Sequence, residues 1–328
     1  MLILVTGGNG FVGSHLVEGL LAEGHQVRCL VRPSSDLSFI AALPVEFVYG
    51  ALDDRESLER ACRGVDAVYH LAGATKAVHA ETYFRVNALG TRSLLEACWQ
   101  VNPGLQRFVY CSSLSAVGPA AGSEPPDETC APHPVSDYGR SKLAGEEAVR
   151  AYADRLPVVI LRPAAIYGPR ERDILAYFRI VNKGLKLLPG GGTQQVSVIH
   201  VSDLVRLALQ VLQAEQAVGQ TYFASDGQAH DLEALLDTIA VVLGRRPLRI
   251  VVPVRWLEAV AALGGIGARL PGRPFLLNEQ KVQELKQRYW LCDASKARRE
   301  LSFVAQVDLA AGFAQTARWY CQHGWLSG

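Results

Sequence analysis

The chain has 328 residues, 49% hydrophobic and 20% charged, with 33 Lys and Arg against 32 Asp and Glu. That is long for one minimal core and short for three domains, so a two-lobed globular protein with ample core material is expected. The mixed, evenly spread charge argues against a nucleic-acid partner, and the most apolar uncharged run, Ala259 to Ala268, falls well below the roughly 20 residues of a membrane span.

The seven cysteines are scattered, with no CxxC pair and no Cys/His cluster. Reduced, buried thiols in a cytoplasmic protein account for them, and no metal site is expected. The first apolar run begins at Leu2, so no signal peptide is expected.

In chain order, Leu2–Val5, Gln26–Val31, Glu46–Tyr49, Ala67–Leu71, Phe108–Ser112 and Val158–Arg162 read as short buried strands. Helical patterns lie between them at Gly13–Ala22, Ser57–Ala61, Ala88–Gln100 and Lys142–Tyr152. Such alternation predicts an α/β fold with a doubly wound, mostly parallel sheet covered on both faces. After Tyr167-Gly168-Pro169 the regularity breaks. Val196–Val201 reads as a further strand and Ser202–Gln213 as a helix capped by Ser202, followed by amphipathic helices such as Asp231–Leu243. The apolar stretch Trp256–Leu270 reads as a core or lobe-packing helix, with the lining of an apolar pocket as the alternative.

Thr6-Gly7-Gly8-Asn9-Gly10-Phe11-Val12-Gly13 joins the first strand to the first helix. Glycines there allow a sharp turn and a close approach of backbone N–H groups to a pyrophosphate, which the helix N-terminus attracts. The pattern fits Gly8-x-Gly10-x-x-Gly13 and Gly7-x-x-Gly10-x-x-Gly13 equally; its plain alternative is a tight strand–helix turn. The second strand ends Leu30-Val31-Arg32-Pro33-Ser34-Ser35, with Asp36 beyond. A strand-end acid would select NAD, whereas a guanidinium and hydroxyls suit a 2′-phosphate, so NADP(H) is favoured and NAD(H) is the alternative.

Tyr138-Gly139-Arg140-Ser141-Lys142 carries a phenol and an ammonium four residues apart on a helix, and so on one face. A free phenol titrates near 10, and a fixed cation draws it toward the working range. The serines in Cys111-Ser112-Ser113-Leu114-Ser115 lie at a strand end, where open α/β sheets bind ligands.

These segments, with HLAGAT (His70–Thr75), NALGT (Asn87–Thr91), LRPAAIYGPR (Leu161–Arg170) and IHVSDL (Ile199–Leu204), occur in the order found in extended short-chain dehydrogenases/reductases. The chain resembles that family over almost its whole length. The resemblance implies a Rossmann-type sheet with a smaller, mostly helical C-terminal substrate lobe. Residues 1–168 plus about 197–224 would form the NADP-binding domain, and 169–196 plus about 225–328 the substrate lobe. By motif position, Tyr138 is the acid/base, Lys142 holds the nicotinamide ribose, and Ser113 polarises the substrate oxygen. Gly7, Gly10, Phe11, Val12, Gly13, Arg32, Ser35, Leu52, Leu71 and Ala72 are implied to bind the dinucleotide, with Pro163 and Ile166 beside the nicotinamide. Thr75, Ser113 and Tyr167 are implied to face the substrate. Asn87 matches a helix asparagine that lines the site, with packing and backbone bonding as its alternative role. Ala51 departs from the family, which usually places an aspartate there for the adenine amino group.

Sugar-nucleotide members usually carry Arg-Asp at the positions of Val196 and Ser197, the arginine gripping a diphosphate. The Arg-Pro-Ser-Ser loop, Asp293–Ala297 and Arg318-Trp319-Tyr320 look more like dihydroflavonol-reductase and 3β-hydroxysteroid-dehydrogenase relatives. The expected activity is therefore NADP(H)-dependent interconversion of a ketone and a secondary alcohol on a hydrophobic small molecule, sterol-, lipid- or flavonoid-like. A sugar-nucleotide epimerase/dehydratase is the alternative. A non-catalytic NADP sensor is the third reading, disfavoured because the Tyr/Lys pair is kept. A homodimer is compatible with all three.

Overall fold

The computed structural model describes residues 1–253, 255, 256 and 279–327. Strand β1 (Leu2–Thr6) leads into helix α1 (Phe11–Ala22), then β2 (Gln26–Val31), β3 (Val45–Tyr49), α2 (Arg55–Cys62), β4 (Ala67–His70), α3 (Ala80–Phe84), α4 (Gly90–Val101), β5 (Arg107–Cys111), α5 (Asp137–Arg150) and β6 (Val158–Pro163). Next come β7 (Ala165–Tyr167), α6 (Leu175–Asn182), β8 (Leu185–Pro189), β9 (Gln195–Val196), β10 (Val198–His200), α7 (Val201–Gln213), β11 (Thr221–Ala224), β12 (His230–Asp231), α8 (Leu232–Val242) and β13 (Leu248–Val252). The helix Glu279–Leu285, β14 (Tyr289–Trp290) and the helices Ser295–Leu301 and Leu309–Gln322 follow.

Seven parallel strands form the main sheet in the order β11-β6-β5-β4-β1-β2-β3. Alternate residues of each strand feed opposite faces, as a period of two requires. Ile3 and Val5 join a core with Leu16, Leu20, Leu207 and Val211 from α1 and α7. Leu4 joins the other core, with Leu58, Leu94 and Val149 from α2, α4 and α5. Both faces are thus covered, which is why these strands are continuously apolar in sequence. The strand order reverses between β1 and β4, and the crevice outside their carboxyl ends is where such sheets take ligands.

A third core holds Tyr167, Phe178, Leu236, Phe313 and Tyr320, and marks the mainly helical C-terminal region. That region contains more strand than expected, in the parallel pair β8–β13 and the small sheet β12-β9-β14. The expected strand Val196–Val201 is two strands. Gln195–Val196 pairs with β12 and β14, whereas Val198–His200 pairs with β7. The chain changes sheets at Ser197, whose N–H donates to Trp290 O at 2.8 Å and whose carbonyl accepts from Ala165 N at 3.3 Å. Helix α7 begins at Val201, and its cap is His200, not Ser202: His200 Nδ1 accepts from Ser202 N at 3.3 Å. Helix α4 is reached through α3 and a π-type segment, Arg85–Leu89, that widens the turn around Asn87. No described helix is long and apolar enough to cross a membrane. The stretch Trp256–Leu270 lies outside the described residues from 257 onward.

Candidate active site

The turn between β1 and α1 distinguishes the two glycine readings. Gly7 has φ +72°, and a Cβ on it would lie 2.6 Å from the Ala72 nitrogen, at the end of β4. A Cβ on Gly13 would lie 2.0 Å from Gly7 O, and Gly10 N donates to that same oxygen at 3.0 Å. Gly8 instead faces the core beside Cys29 and Val17. The glycines that meet around the Gly7 carbonyl in this turn are therefore Gly7, Gly10 and Gly13. No side chain caps α1, and its first turn has no acid. Uncapped N–H groups beside a glycine cradle fit the pyrophosphate of a dinucleotide. Phe11 and Val12 open this helix, both half-buried.

At the end of β2 the Arg32 side chain is exposed and the chain turns tightly. Arg32 N donates to Ser35 Oγ at 3.2 Å, and Ser35 N to Arg32 O at 2.9 Å. Asn9 Nδ2 donates to Asp36 O at 3.1 Å, tying this loop to the glycine turn. Asp36 itself caps Ser38 N, so its carboxylate is turned toward its own loop. On the next loop, Ala51 N donates to Ser57 Oγ at 3.3 Å, and half-buried Leu52 packs on Gly90.

Below the crevice a buried hydrogen-bond chain joins β1, β4 and α4. Thr91 Oγ1 gives its proton to Asn87 O at 2.7 Å, so at 2.9 Å it must accept one from His70 Nε2. His70 Nδ1 is then bare and accepts from Thr6 Oγ1 at 2.6 Å, and Thr6 Oγ1 accepts from Ala72 N at 3.2 Å. Burial, with Lys142 nearby, pushes the His70 pKa down to about 3, so the ring is neutral and this tautomer is fixed by its partners. The chain sets the backbone of Leu71 and Ala72, both half-buried at the crevice floor.

Helix α5 starts earlier than its sequence pattern indicates, because Ser136 Oγ caps it by accepting from Gly139 N at 3.1 Å. Tyr138 therefore stands in the first turn and Lys142 one turn later. Ser113, just past β5, is half-buried; its Oγ accepts from Ser115 N at 3.1 Å, and its hydroxyl lies near enough to the Tyr138 phenol to lower that group's pKa. Lys142 is buried, donates to Cys111 O at 2.6 Å, and sits 4.4 Å over the Tyr110 ring. The structure brings the three residues together. It also corrects one expectation: burial raises the Tyr138 pKa above the ordinary phenol value, and the pull of Lys142 and Ser113 in the opposite direction does not offset it.

These features have known counterparts. Residues 3–224 match the NAD dependent epimerase/dehydratase family. The chain belongs to this family. It is 31% identical to the ceramide reductase of Caulobacter vibrioides, over 99% of this chain and 96% of that one. It is also 31% identical to sterol demethylase protein B of Methylococcus capsulatus, over 99% and 100%. Among solved structures, MoeE5 in complex with UDP-glucuronic acid and NAD superimposes with a TM-score of 0.77 at 27% identity, covering 98% of this chain and all of that one. The chain is thus an NAD(P)-dependent enzyme of the short-chain dehydrogenase/reductase type.

Within this family frame the remaining residues take definite places. Asn87 does not open onto the crevice. Its Oδ1 accepts from Ala74 N at 2.7 Å, and its Nδ2 donates to Ala74 O at 3.0 Å and Ser141 Oγ at 2.9 Å, which commits both N–H donors. Pro163 is buried, Ile166 half-buried and Thr75 exposed on the loop after β4. Tyr167, expected at the substrate, is 2% exposed in the third core, between His200 at 5.1 Å and Phe313 at 4.9 Å. Aromatic packing outcompetes an outward orientation there. Arg170 is held against α1, donating to Ser14 Oγ at 3.0 Å and Glu18 Oε1 at 2.6 Å; Arg172 lies 5.1 Å over Trp325. Ser197 is buried, and its Oγ accepts from Cys292 N at 3.3 Å. Sequence reasoning missed Tyr83, whose ring meets Tyr138 edge-on at 6.2 Å, and the buried cluster of Ser112, Glu146 and Arg162. Glu146 was detectable, since it continues the four-residue spacing of Tyr138 and Lys142.

Proposed function

We propose that this enzyme is an NADP(H)-dependent reductase of ketones on apolar, lipid-like molecules, yielding secondary alcohols. The observation that carries the reading is the meeting of Ser113, Tyr138 and Lys142 at the crevice end of the sheet. A nicotinamide, when bound, would supply hydride to the carbonyl carbon. Ser113 donates a hydrogen bond to the carbonyl oxygen, and Tyr138 gives that oxygen its phenolic proton. Lys142, held by Cys111 O, stabilises the resulting phenolate until solvent returns the proton, and offers its remaining N–H bonds to a ribose. Burial raises the Tyr138 pKa, so the phenol is available as the acid in its protonated form.

The exposed Arg32 and the Ser35 hydroxyl support NADP(H) over NAD(H), because a guanidinium pairs well with a 2′-phosphate. An apolar substrate is supported by the absence of a cation at Val196 and Ser197, and by the engagement of Arg170 with Ser14 and Glu18. A buried diphosphate without paired cations is very costly. The names of the reductase and sterol relatives point the same way. In this reading residues 1–168 with 197–224 hold the dinucleotide, consistent with β11 lying beside β6 and α7 packing on the β1 face. Residues 169–196 with 225–328 would then hold the substrate. Seven unpaired thiols fit a cytoplasmic setting.

Likeness to MoeE5 keeps one second reading in play, a sugar-nucleotide epimerase. Stoichiometric loss of NADPH absorbance with long-chain or sterol ketones, and no heat on titration with UDP-sugars, is the expected result. Micromolar UDP-sugar binding without net cofactor oxidation would replace the reductase reading with the epimerase.

A further inference from the structure

A buried carboxylate outside the reaction scheme joins the three elements that carry the site. Glu146 lies one turn beyond Lys142 on α5, on the face shared by Tyr138. Its side chain is fully buried. Oε1 accepts from the Ser112 hydroxyl at 2.6 Å and Arg162 Nε at 2.9 Å. Oε2 accepts from Arg162 Nη2 at 2.7 Å and Arg150 Nη2 at 2.7 Å. Burial pushes the carboxyl pKa up, but Arg162, Ser112 and Arg150 together bring it below the ordinary value, so the group is ionised.

Well-packed apolar residues hold a core together as effectively as a buried ion cluster, so the distinctive contribution of this one is geometric. Ser112 immediately precedes Ser113, Arg162 immediately precedes Pro163, and Glu146 shares its helix with Tyr138 and Lys142. One carboxylate therefore fixes the end of β5, the end of β6 and the catalytic helix relative to one another. We propose that Glu146 is a positioning residue, which through Ser112 and Arg162 sets the approach of Ser113 to Tyr138. The proposal rests on the reading of those two residues as the groups that act on the carbonyl oxygen. It extends the machinery to a side chain that touches neither substrate nor cofactor.

A misplacement of about 1 Å in a reacting group costs on the order of 10²-fold in rate. Ser112→Ala, which leaves both Arg162 bonds intact, and Glu146→Gln, which keeps the volume, are the informative variants. Each is assayed for kcat with whichever substrate class the unmodified enzyme turns over, ketone or UDP-sugar, so that failure of the reductase reading leaves this test standing. The expected result is a fall in kcat of at least about tenfold, with NADPH Kd and melting temperature close to the unmodified values in Ser112→Ala. Crystals of the unmodified enzyme and of Ser112→Ala, both with NADP(H), would show the Ser113 hydroxyl moved away from the Tyr138 phenol in the variant, a readout that needs no substrate. An unchanged kcat in both variants, a parallel loss of kcat, cofactor affinity and melting temperature, or a Ser113 hydroxyl unmoved relative to the Tyr138 phenol would overturn the proposal.

Discussion

Lys142 and Cys111 meet across 31 residues of sequence, the ammonium donating to the backbone carbonyl at 2.6 Å. This bond aims the cation at the end of β5, where Ser113 and the Tyr138 phenol converge. One of its three N–H donors is thereby committed, and the others are left for a sugar hydroxyl and the phenolate.

Replacing this lysine should therefore have two separable effects. Lys142→Ala should weaken NADPH binding and reduce kcat together, as read by fluorescence titration and steady-state rates. Reduction requires the protonated phenol, so rate is lost as pH rises through the Tyr138 pKa. Lys142 lowers that pKa, and its removal should move the alkaline limb of the kcat profile to higher pH. A limb that stays in place would mean that another group titrates.

Tyr138→Phe removes the proton donor without changing the ring that packs on Tyr83. Turnover should fall by at least about 10²-fold, the usual contribution of a positioned acid. NADPH affinity and melting temperature should remain near those of the unmodified enzyme.

Arg32→Asp tests cofactor choice. A charge-assisted hydrogen bond contributes about 1.5–3 kcal/mol, so the variant should lose roughly tenfold to a hundredfold in NADPH affinity while NADH affinity is kept or improved. Equal affinity of the unmodified enzyme for both cofactors would remove Arg32 from the site.

Acid should destabilise the fold through its buried imidazoles. Burial lowers the His70 pKa from 6.5 to about 3 and that of His200 from 6.5 to about 4. The unfolded chain then binds more protons than the folded one between those values, so this contribution to stability is full above about 6.5 and is lost as pH falls. Within that window each histidine costs up to about 1.4 kcal/mol for every pH unit of acidification. Thermal melts from pH 7 to 4.5 should show the decline, with a shallower slope in His70→Gln. An identical slope in that variant would assign the effect to other groups.

The N-terminal half of the protein was legible because its strands are buried on both faces and its turns are marked by glycine. Gln26–Val31 was found residue for residue, and Ser113, Tyr138 and Lys142 converge as their spacing requires. The C-terminal region was not, because its strands are as short as His230–Asp231 and their pairing partners lie far away in sequence. Tyr167 was misplaced for a related reason: a tyrosine that ends a strand beside the crevice reads as a wall of the pocket until Phe313, on the last helix, is seen against it. The raised pKa of Tyr138 depends on how much water the fold removes, a quantity no local motif contains.

The change of sheets at Ser197 bears on attempts to redesign this enzyme. Grafting Arg-Asp onto positions 196 and 197 to create a sugar-nucleotide enzyme is, on paper, a two-letter edit. Yet residue 197 is the joint at which one strand leaves β12 and β14 and the next joins β7, and its hydroxyl is fastened to Cys292 N. A carboxylate placed there would arrive without solvent and against a backbone already committed to two partners. The side chain at this position is bound to the architecture, so a graft has to carry over the β14 segment along with the two residues.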